Sequence, residues 1–305
     1  MEMRQMLAKT LAEIMEKNDK IVVIDADLSK PNGTSVLYSK FPDRCFNVGI
    51  AEQNMMGIAA GIASYGYIPV VVTFTPFATR RPCDQLTVSV AYAKQNVKII
   101  GTDPGLTAEL NGGTHMSVED VGIARSIPEI LIYDAVDPLQ LGQALPQIID
   151  YEGAAYVRMP RKYAESVLDE NYKFDLFKAD ILREGEDITV FATSIMVKES
   201  LVAAEILAQE GIDVEVVNVH TFKPLDEETI INSLKKTKKA IVCENHNIIG
   251  GLFSAISELV VQKYPVPIRP LGIKDRFGQV GKLPELMKEY EMTADDVVKL
   301  VKSMF

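Results

Sequence analysis

Tryptophan is absent from the 305 residues, and histidine and cysteine occur three times each. The cysteines, Cys45, Cys83 and Cys243, are far apart and odd in number. That excludes a disulfide framework and any Cys-x-x-Cys metal or redox motif, and it suits a reducing, cytoplasmic setting. Three histidines leave little material for a multi-histidine metal centre, so no metal ligated by this chain itself is expected. No basic block occurs either. Lys and Arg number 32 against 42 Asp and Glu, a net charge of −10, so neither nucleic acid nor an anionic membrane surface is an expected partner. Met1–Lys20 carries charges throughout and no apolar run, so it is not expected to act as a signal peptide. One stretch lacks charge altogether: Gln53–Thr79. Gly57, Gly61, Gly66 and Pro69 interrupt it, so it reads as a buried helix, a turn at Tyr65-Gly66-Tyr67 and a buried strand, not as a membrane span.

What is present is ordinary globular material, 47% hydrophobic and 24% charged, of a length that suggests two domains. Short β-branched runs alternate with segments of helical period. Met3, Leu7, Leu11 and Ile14 mark an amphipathic first helix. Expected strands are Ile21–Asp25, Cys45–Val48, Ile68–Phe74, Val97–Gly101, Ile130–Tyr133 and Ala154–Arg158, then Ile188–Ala192, Val214–Val219 and Ala240–Cys243. Such alternation with apolar strands predicts an α/β fold of two doubly wound, mostly parallel-sheet domains. A charged, Tyr-rich interval separates the halves. The expected division is residues 1–165, a linker over 166–186, and 187–305.

In open α/β sheets ligands bind beyond the carboxyl ends of the strands. The residues expected there are Asp25-Ala26-Asp27, Gly49-Ile50-Ala51-Glu52, Phe74-Thr75-Pro76-Phe77 with Arg80-Arg81, Thr102-Asp103-Pro104 with Glu109, Asn111 and His115, and Arg158. Each has a plain structural reading. A helix macrodipole alone favours a glutamate such as Glu52 at a helix start. Phe74 and Phe77 could be core, His115 a capping residue, and Arg158 one member of a basic turn with Arg161 and Lys162. Their joint placement on one rim is what points to chemistry.

One run is specific: Gly49-Ile50-Ala51-Glu52-Gln53-Asn54-Met55, preceded by Phe41-Pro42-Asp43-Arg44 and followed by Ala59-Ala60-Gly61. It resembles the transketolase family. The likeness continues through Ala26-Asp27-Leu28, Thr73-Phe74-Thr75-Pro76-Phe77, Asp84-Gln85, Thr114-His115, Phe222-Lys223-Pro224-Leu225-Asp226, Glu244-Asn245-His246 and Gly250-Gly251. It covers the whole chain but corresponds only to the pyrimidine-binding and C-terminal domains of a full-length transketolase. The family grips the diphosphate of thiamine diphosphate through Mg²⁺ with a Gly-Asp-Gly motif, and no Gly-Asp dipeptide occurs here. The resemblance therefore implies one subunit of a split transketolase. An N-terminal partner would carry the diphosphate and Mg²⁺ site in an expected α₂β₂ assembly.

The same resemblance implies roles. Glu52 would activate the cofactor's aminopyrimidine, for which the carboxyl should be dry enough to share a proton. Phe77 and Phe74 would pack on the pyrimidine, with Asp27 and Arg80 as further cofactor-binding residues. His115 would act near the reacting hydroxyls of the sugar substrates. Arg4 and Arg158 would hold the sugar's terminal phosphate. Three positions depart from the family pattern: Pro31 replaces a phosphate-binding serine, Asp103 a phosphate-contacting histidine, and Asn111 an aspartate. An anionic Asp103 beside phosphate would be repulsive, so the pentose-phosphate substrates are open. Other readings are the β chain of a 2-oxoacid dehydrogenase or a non-catalytic paralogue.

Overall fold

The computed structural model describes residues 1–163 and 165–305. The first helix, Met3–Lys17, buries Met3, Leu7, Leu11 and Met15. It packs on the helix Pro138–Asp150, which presents Leu141, Ala144, Leu145 and Ile148. That second helix starts where its sequence says it should. Asp137 caps it by accepting from the Gln140 amide at 2.8 Å, and Pro138 fills the first position, where no amide hydrogen is needed.

The strands are β1 (Ile21–Asp25), β2 (Cys45–Asn47), β3 (Ile68–Phe74), β4 (Lys98–Thr102), β5 (Leu131–Asp134) and β6 (Ala155–Met159) in the first half. Those of the second half are β7 (Asp180–Arg183), β8 (Ile188–Ala192), β9 (Val214–Asn218), β10 (Thr221–Lys223), β11 (Ala240–Asn247) and β12 (Ile268–Ile273). One sheet runs β2-β1-β3-β4-β6-β5-β10 and the other β12-β11-β8-β9-β7. All pairs are parallel except β10 with β5 and β7 with β9. Both faces of the sheets are covered, which explains the unbroken apolar strands. In β1, Val22 and Ile24 enter one core cluster while Ile21 and Val23 enter another. The chain leaves β1 toward β2 and returns past it to β3, so the topological switch lies between β1 and β3. Their carboxyl ends open the crevice where doubly wound folds bind ligands.

Three features differ from the sequence expectation, the first being β12, which pairs in parallel with β11 and is not among the expected strands. β10 comes from the second half of the chain yet completes the first sheet, pairing Thr221 with Tyr133 and Lys223 with Ile132. The same core cluster also runs from Val22 and Ile24 to Phe222 and Val242 across the boundary. The stretch expected as linker is also structured. Phe174 and Leu176 are buried, and β7 is a strand of the second sheet. Gln143 and Gln147 explain why: each donates to one backbone carbonyl (Tyr172, Phe174) and accepts from one backbone amide (Phe174, Leu176) of that stretch, at 2.8–3.1 Å.

Asp180 fastens the join. Its carboxylate accepts from Tyr172 Oη at 2.9 Å, Asn218 Nδ2 at 3.0 Å and Gln140 Nε2 at 3.2 Å. Burial nevertheless pushes this carboxyl up to about 6, against those three bonds. A carboxyl raised in the folded state contributes stability that is full below its unfolded pKa and is lost as pH rises through its folded pKa. We therefore expect the unfolding free energy of the wild type to decline from about pH 4 to about pH 6 more steeply than that of Asp180→Asn. Urea titrations across that window check this, and parallel profiles would contradict it.

Candidate functional site

Glu52 opens the helix Glu52–Ser64 immediately beyond β2, on the rim of the switch crevice. Its side chain is 2% exposed and accepts a charged hydrogen bond from Arg81 Nη1 at 2.7 Å. The setting is thus dry, as expected, but not free of charge. The Arg81 guanidinium also lies 3.7 Å above the Phe77 ring, so one cation joins the carboxylate to the aromatic wall.

That wall has three rings. Phe74 ends β3, and Phe77 lies in the short turn of helix Thr75–Ala78 that follows. His115 approaches both edge-on, with centroids 5.2 Å from Phe77 and 6.0 Å from Phe74. The two phenylalanines are 6.1 Å apart. His115 Nδ1 is 2.9 Å from the Thr114 hydroxyl. Its loop is held by Arg80, which donates to the Thr114 carbonyl and to Glu119 Oε1, both at 2.9 Å. Arg80 was expected on the cofactor; here its guanidinium is committed to positioning the His115 loop. Asp27 stands at the rim beyond β1 with φ of 63°, its amide donating to Asn47 Oδ1 at 3.0 Å.

A second arginine flanks the aromatic wall. Arg161 lies 4.6 Å above the Phe74 ring. Its backbone amide donates to Asp103 Oδ1 at 2.7 Å, and its Nε donates to the other carboxylate oxygen. Asp103 sits just past β4 with φ of 56°, a strained position of the kind that gathers at functional rims. Burial raises its carboxyl above the ordinary range, while the three contacts with Arg161 oppose the rise. Asp103, Asn111 and Arg161 line a cavity of about 390 Å³ between the two halves, closed on the far side by Leu283 and Pro284. Arg4 stands behind it. Its amide donates to the Arg161 carbonyl at 2.9 Å, and its guanidinium reaches Glu2 at 2.7 Å and the Pro31 carbonyl at 3.3 Å.

Arg158 is elsewhere, which corrects the expectation that it grips a sugar phosphate. It is fully buried inside β6, with Nε and Nη2 donating to Asp120 at 2.6 and 3.2 Å. Nη1 donates to Asp134 at 2.6 Å, and Nη2 also reaches the Asn245 carbonyl at 3.2 Å. Tyr156 and Thr193 add donors to the same two carboxylates. Burial pushes Asp134 up to about 6 despite the guanidinium. The arginine at the cavity is Arg161, beyond the end of β6. The strand-end rule contained that signal: Arg158 is still within the buried strand, whereas Pro160-Arg161 follows it. Arg81 carries the same signal, following β3 with Arg80, but its pairing with Glu52 is a tertiary contact.

The family model described as transketolase, pyrimidine binding domain, matches residues 1–165, and that described as transketolase, C-terminal domain, matches residues 177–297. The 6-deoxy-6-sulfo-D-fructose transketolase subunit SqwH of Clostridium sp. (strain MSTE9) is 48% identical over 297 residues, covering 97% of this chain and 92% of its own. A putative transketolase C-terminal section of Methanocaldococcus jannaschii is 40% identical over 303 residues, with 98% and 95% covered. Among solved structures, a split gene transketolase described as an inactive beta4 tetramer superposes with a TM-score of 0.92 at 37% identity, over 99% of this chain and 98% of that one.

Truncating Arg158 would leave Asp120 and Asp134 buried without their cation. Arg158→Ala is therefore expected to cost about 3–5 kcal/mol of stability, the range for breaking a buried ion pair from one side. Urea unfolding measures it; a loss within the scatter of surface substitutions would contradict the structural assignment.

Proposed function

The chain belongs to the transketolase family, and from that premise we propose that it is the C-terminal subunit of a split, thiamine-diphosphate-dependent transketolase that moves a two-carbon ketol unit from a ketose to an aldose. The observation that carries this reading is the Glu52 carboxylate, 2% exposed beside the ring wall of Phe74, Phe77 and His115. A buried acid next to flat apolar faces fits a heteroaromatic ring bearing a basic nitrogen. The donor set therefore suits the aminopyrimidine half of the cofactor.

When bound, that cofactor supplies the nucleophilic carbon and the electron sink for the transfer. At the ring and the sugar, the work falls to side chains of this subunit. Phe77 and Phe74 orient the ring and exclude water from it. Glu52 shares a proton with the ring nitrogen, and its burial strengthens that bond. Until the ring arrives, Arg81 keeps the buried carboxylate compensated. His115 exchanges a proton or a hydrogen bond with the reacting hydroxyls of the sugar. Asp27 contributes at the crevice rim, and Asn111 and Arg161 bind the sugar in the cavity.

The diphosphate and its Mg²⁺ belong to an N-terminal partner subunit in this reading, since no Gly-Asp-Gly motif is present in the sequence. A surface for that partner is the outer face of the Glu52 helix. Gln53, Asn54, Gly57 and Gly61 are exposed there, and a Cβ added at either glycine would meet nothing within 4 Å. Ile50, Tyr65 and Tyr92, 77%, 87% and 84% exposed, lie on the neighbouring segments. An uncharged face of small residues fringed by apolar ones suits close packing against another chain.

Two measurements test the reading. Glu52→Gln should leave the fold and cofactor binding intact while slowing hydrogen–deuterium exchange at the cofactor's thiazolium carbon by about 10²–10⁴-fold in the assembled complex. Equal exchange would reduce Glu52 to a helix-start residue. Gly61→Arg should leave the thermal stability of the isolated chain within about 1 kcal/mol of wild type, because the position is open and helical. Yet it should abolish co-purification with the N-terminal subunit and hence ketol transfer. Undiminished assembly would move the partner to another face.

A further inference from the structure

The cavity beside Arg161 carries an unusual charge balance for a sugar-phosphate site. Two cations line it, Arg161 and Lys162, and three carboxylates, Asp103, Glu109 and Glu165. Glu165 is paired with Lys198 outside it, and Glu109 Oε1 accepts the Leu283 amide at 2.9 Å. Asp103 is the one that matters. It takes Nε of Arg161 and its backbone amide, both donors, so these contacts fit the carboxylate form. Arg161 is thereby neutralised on its inner edge. Among the described residues its two terminal nitrogens have no hydrogen-bond partner, and they remain as a fork at the cavity. With Glu165 answered by Lys198, Arg161 and Lys162 are balanced by Asp103 and Glu109, so the lining offers directed donors but no surplus positive charge for a second negative one.

We propose that Asp103 sets the charge of the terminal group this subunit accepts: by clamping Arg161 it shapes the cavity for a sugar ending in a singly charged tetrahedral oxyanion, of the sulfonate class, and against a phosphate dianion. This deepens the proposed function and rests on it. The physical logic is that of a fork with one formal charge already answered. The unpaired nitrogens still supply directional hydrogen bonds to oxygen, which a neutral terminus cannot use. The second charge of a phosphate dianion finds no counter-ion and faces the Asp103 carboxylate across a single guanidinium. Rejection by an uncompensated charge is a specificity device independent of shape. The cavity wall also fixes the device in place: Met3 and Arg4 amides hold the carbonyls of Tyr163 and Arg161 at 3.0 and 2.9 Å, so the Arg161 segment has little freedom to swing away.

The experiment uses the assembled two-subunit enzyme with three ketose donors differing only at the terminal carbon: a phosphate ester, a sulfonate, and a deoxy sugar. At about pH 8 the phosphate is a dianion, its second pKa being about 6. The wild type should favour the sulfonate over the phosphate in kcat/KM by at least about tenfold, and over the deoxy sugar by at least about tenfold. Asp103→Asn should raise the ratio of kcat/KM for the phosphate to that for the sulfonate about tenfold. Wild-type preference for phosphate should also rise toward pH 6, where its monoanion appears. A merely structural Asp103 would lower all three substrates together. Calorimetric titration with the corresponding sugar alcohols, which cannot react, reads the same charge preference without turnover. If no donor supports ketol transfer but the alcohols still rank sulfonate first, the function fails and this inference stands. Equal or stronger binding of the dianion, or an unmoved ratio in Asp103→Asn, overturns it.

Discussion

The Arg158 guanidinium, fully buried among Asp120, Asp134 and the Asn245 carbonyl, is the contact on which the rest of the molecule depends. Its partners come from a helix start, the end of β5 and the end of β11, so one cation ties both sheets at the level where their loops form the site. Thr193 adds a second bond across the boundary to Asp134 at 3.1 Å. Asn245 adds a third element, bonding Pro104 and Leu106 at 2.9 and 2.8 Å, and Gly105 leaves the room it needs, since a Cβ there would lie 2.6 Å from Cγ of Asn245 and closer still to its Oδ1. The segment so held leads directly into the loop that carries Asn111 and His115. A buried ion pair of this kind is costly to form from water, and it is returned mainly as a fixed geometry.

On that frame the site repeats one motif twice. A phenylalanine from the β3 end supports an arginine on its face, and the arginine answers a buried carboxylate: Phe77, Arg81 and Glu52 on one side, Phe74, Arg161 and Asp103 on the other. The chemical consequences differ because the carboxylates differ in what they face. Glu52 stands at a helix start on the crevice, answered by a half-exposed cation from another segment. Asp103 is clamped by side chain and backbone of the same residue, Arg161, at the wall of the cavity.

The first half of the chain also shows why this fold suits division between polypeptides. Each sheet is closed by an antiparallel edge strand, and the halves share a continuous core through β10. The outer face of the Glu52 helix is left bare of charge and of large side chains. That open helix face lies beside the buried Glu52 carboxylate.

The sequence by itself determined the alternating α/β order, most strands to within a residue, the transketolase likeness and the rim on which Glu52, Phe74, Phe77 and His115 meet. Those rest on local signals: apolar period, helix starts and residues just beyond strand ends. Only the tertiary structure decided the roles of the charged residues. Arg158, Arg80 and Asp103 look alike in sequence as rim charges, but burial and partner choice are non-local. Arg158 became the join between domains, Arg80 the brace of a loop, and Asp103 the clamp on Arg161. β10 escaped the sequence for the same reason: three residues carry no period, and they form a strand because β5 offers an open edge from the other half of the chain.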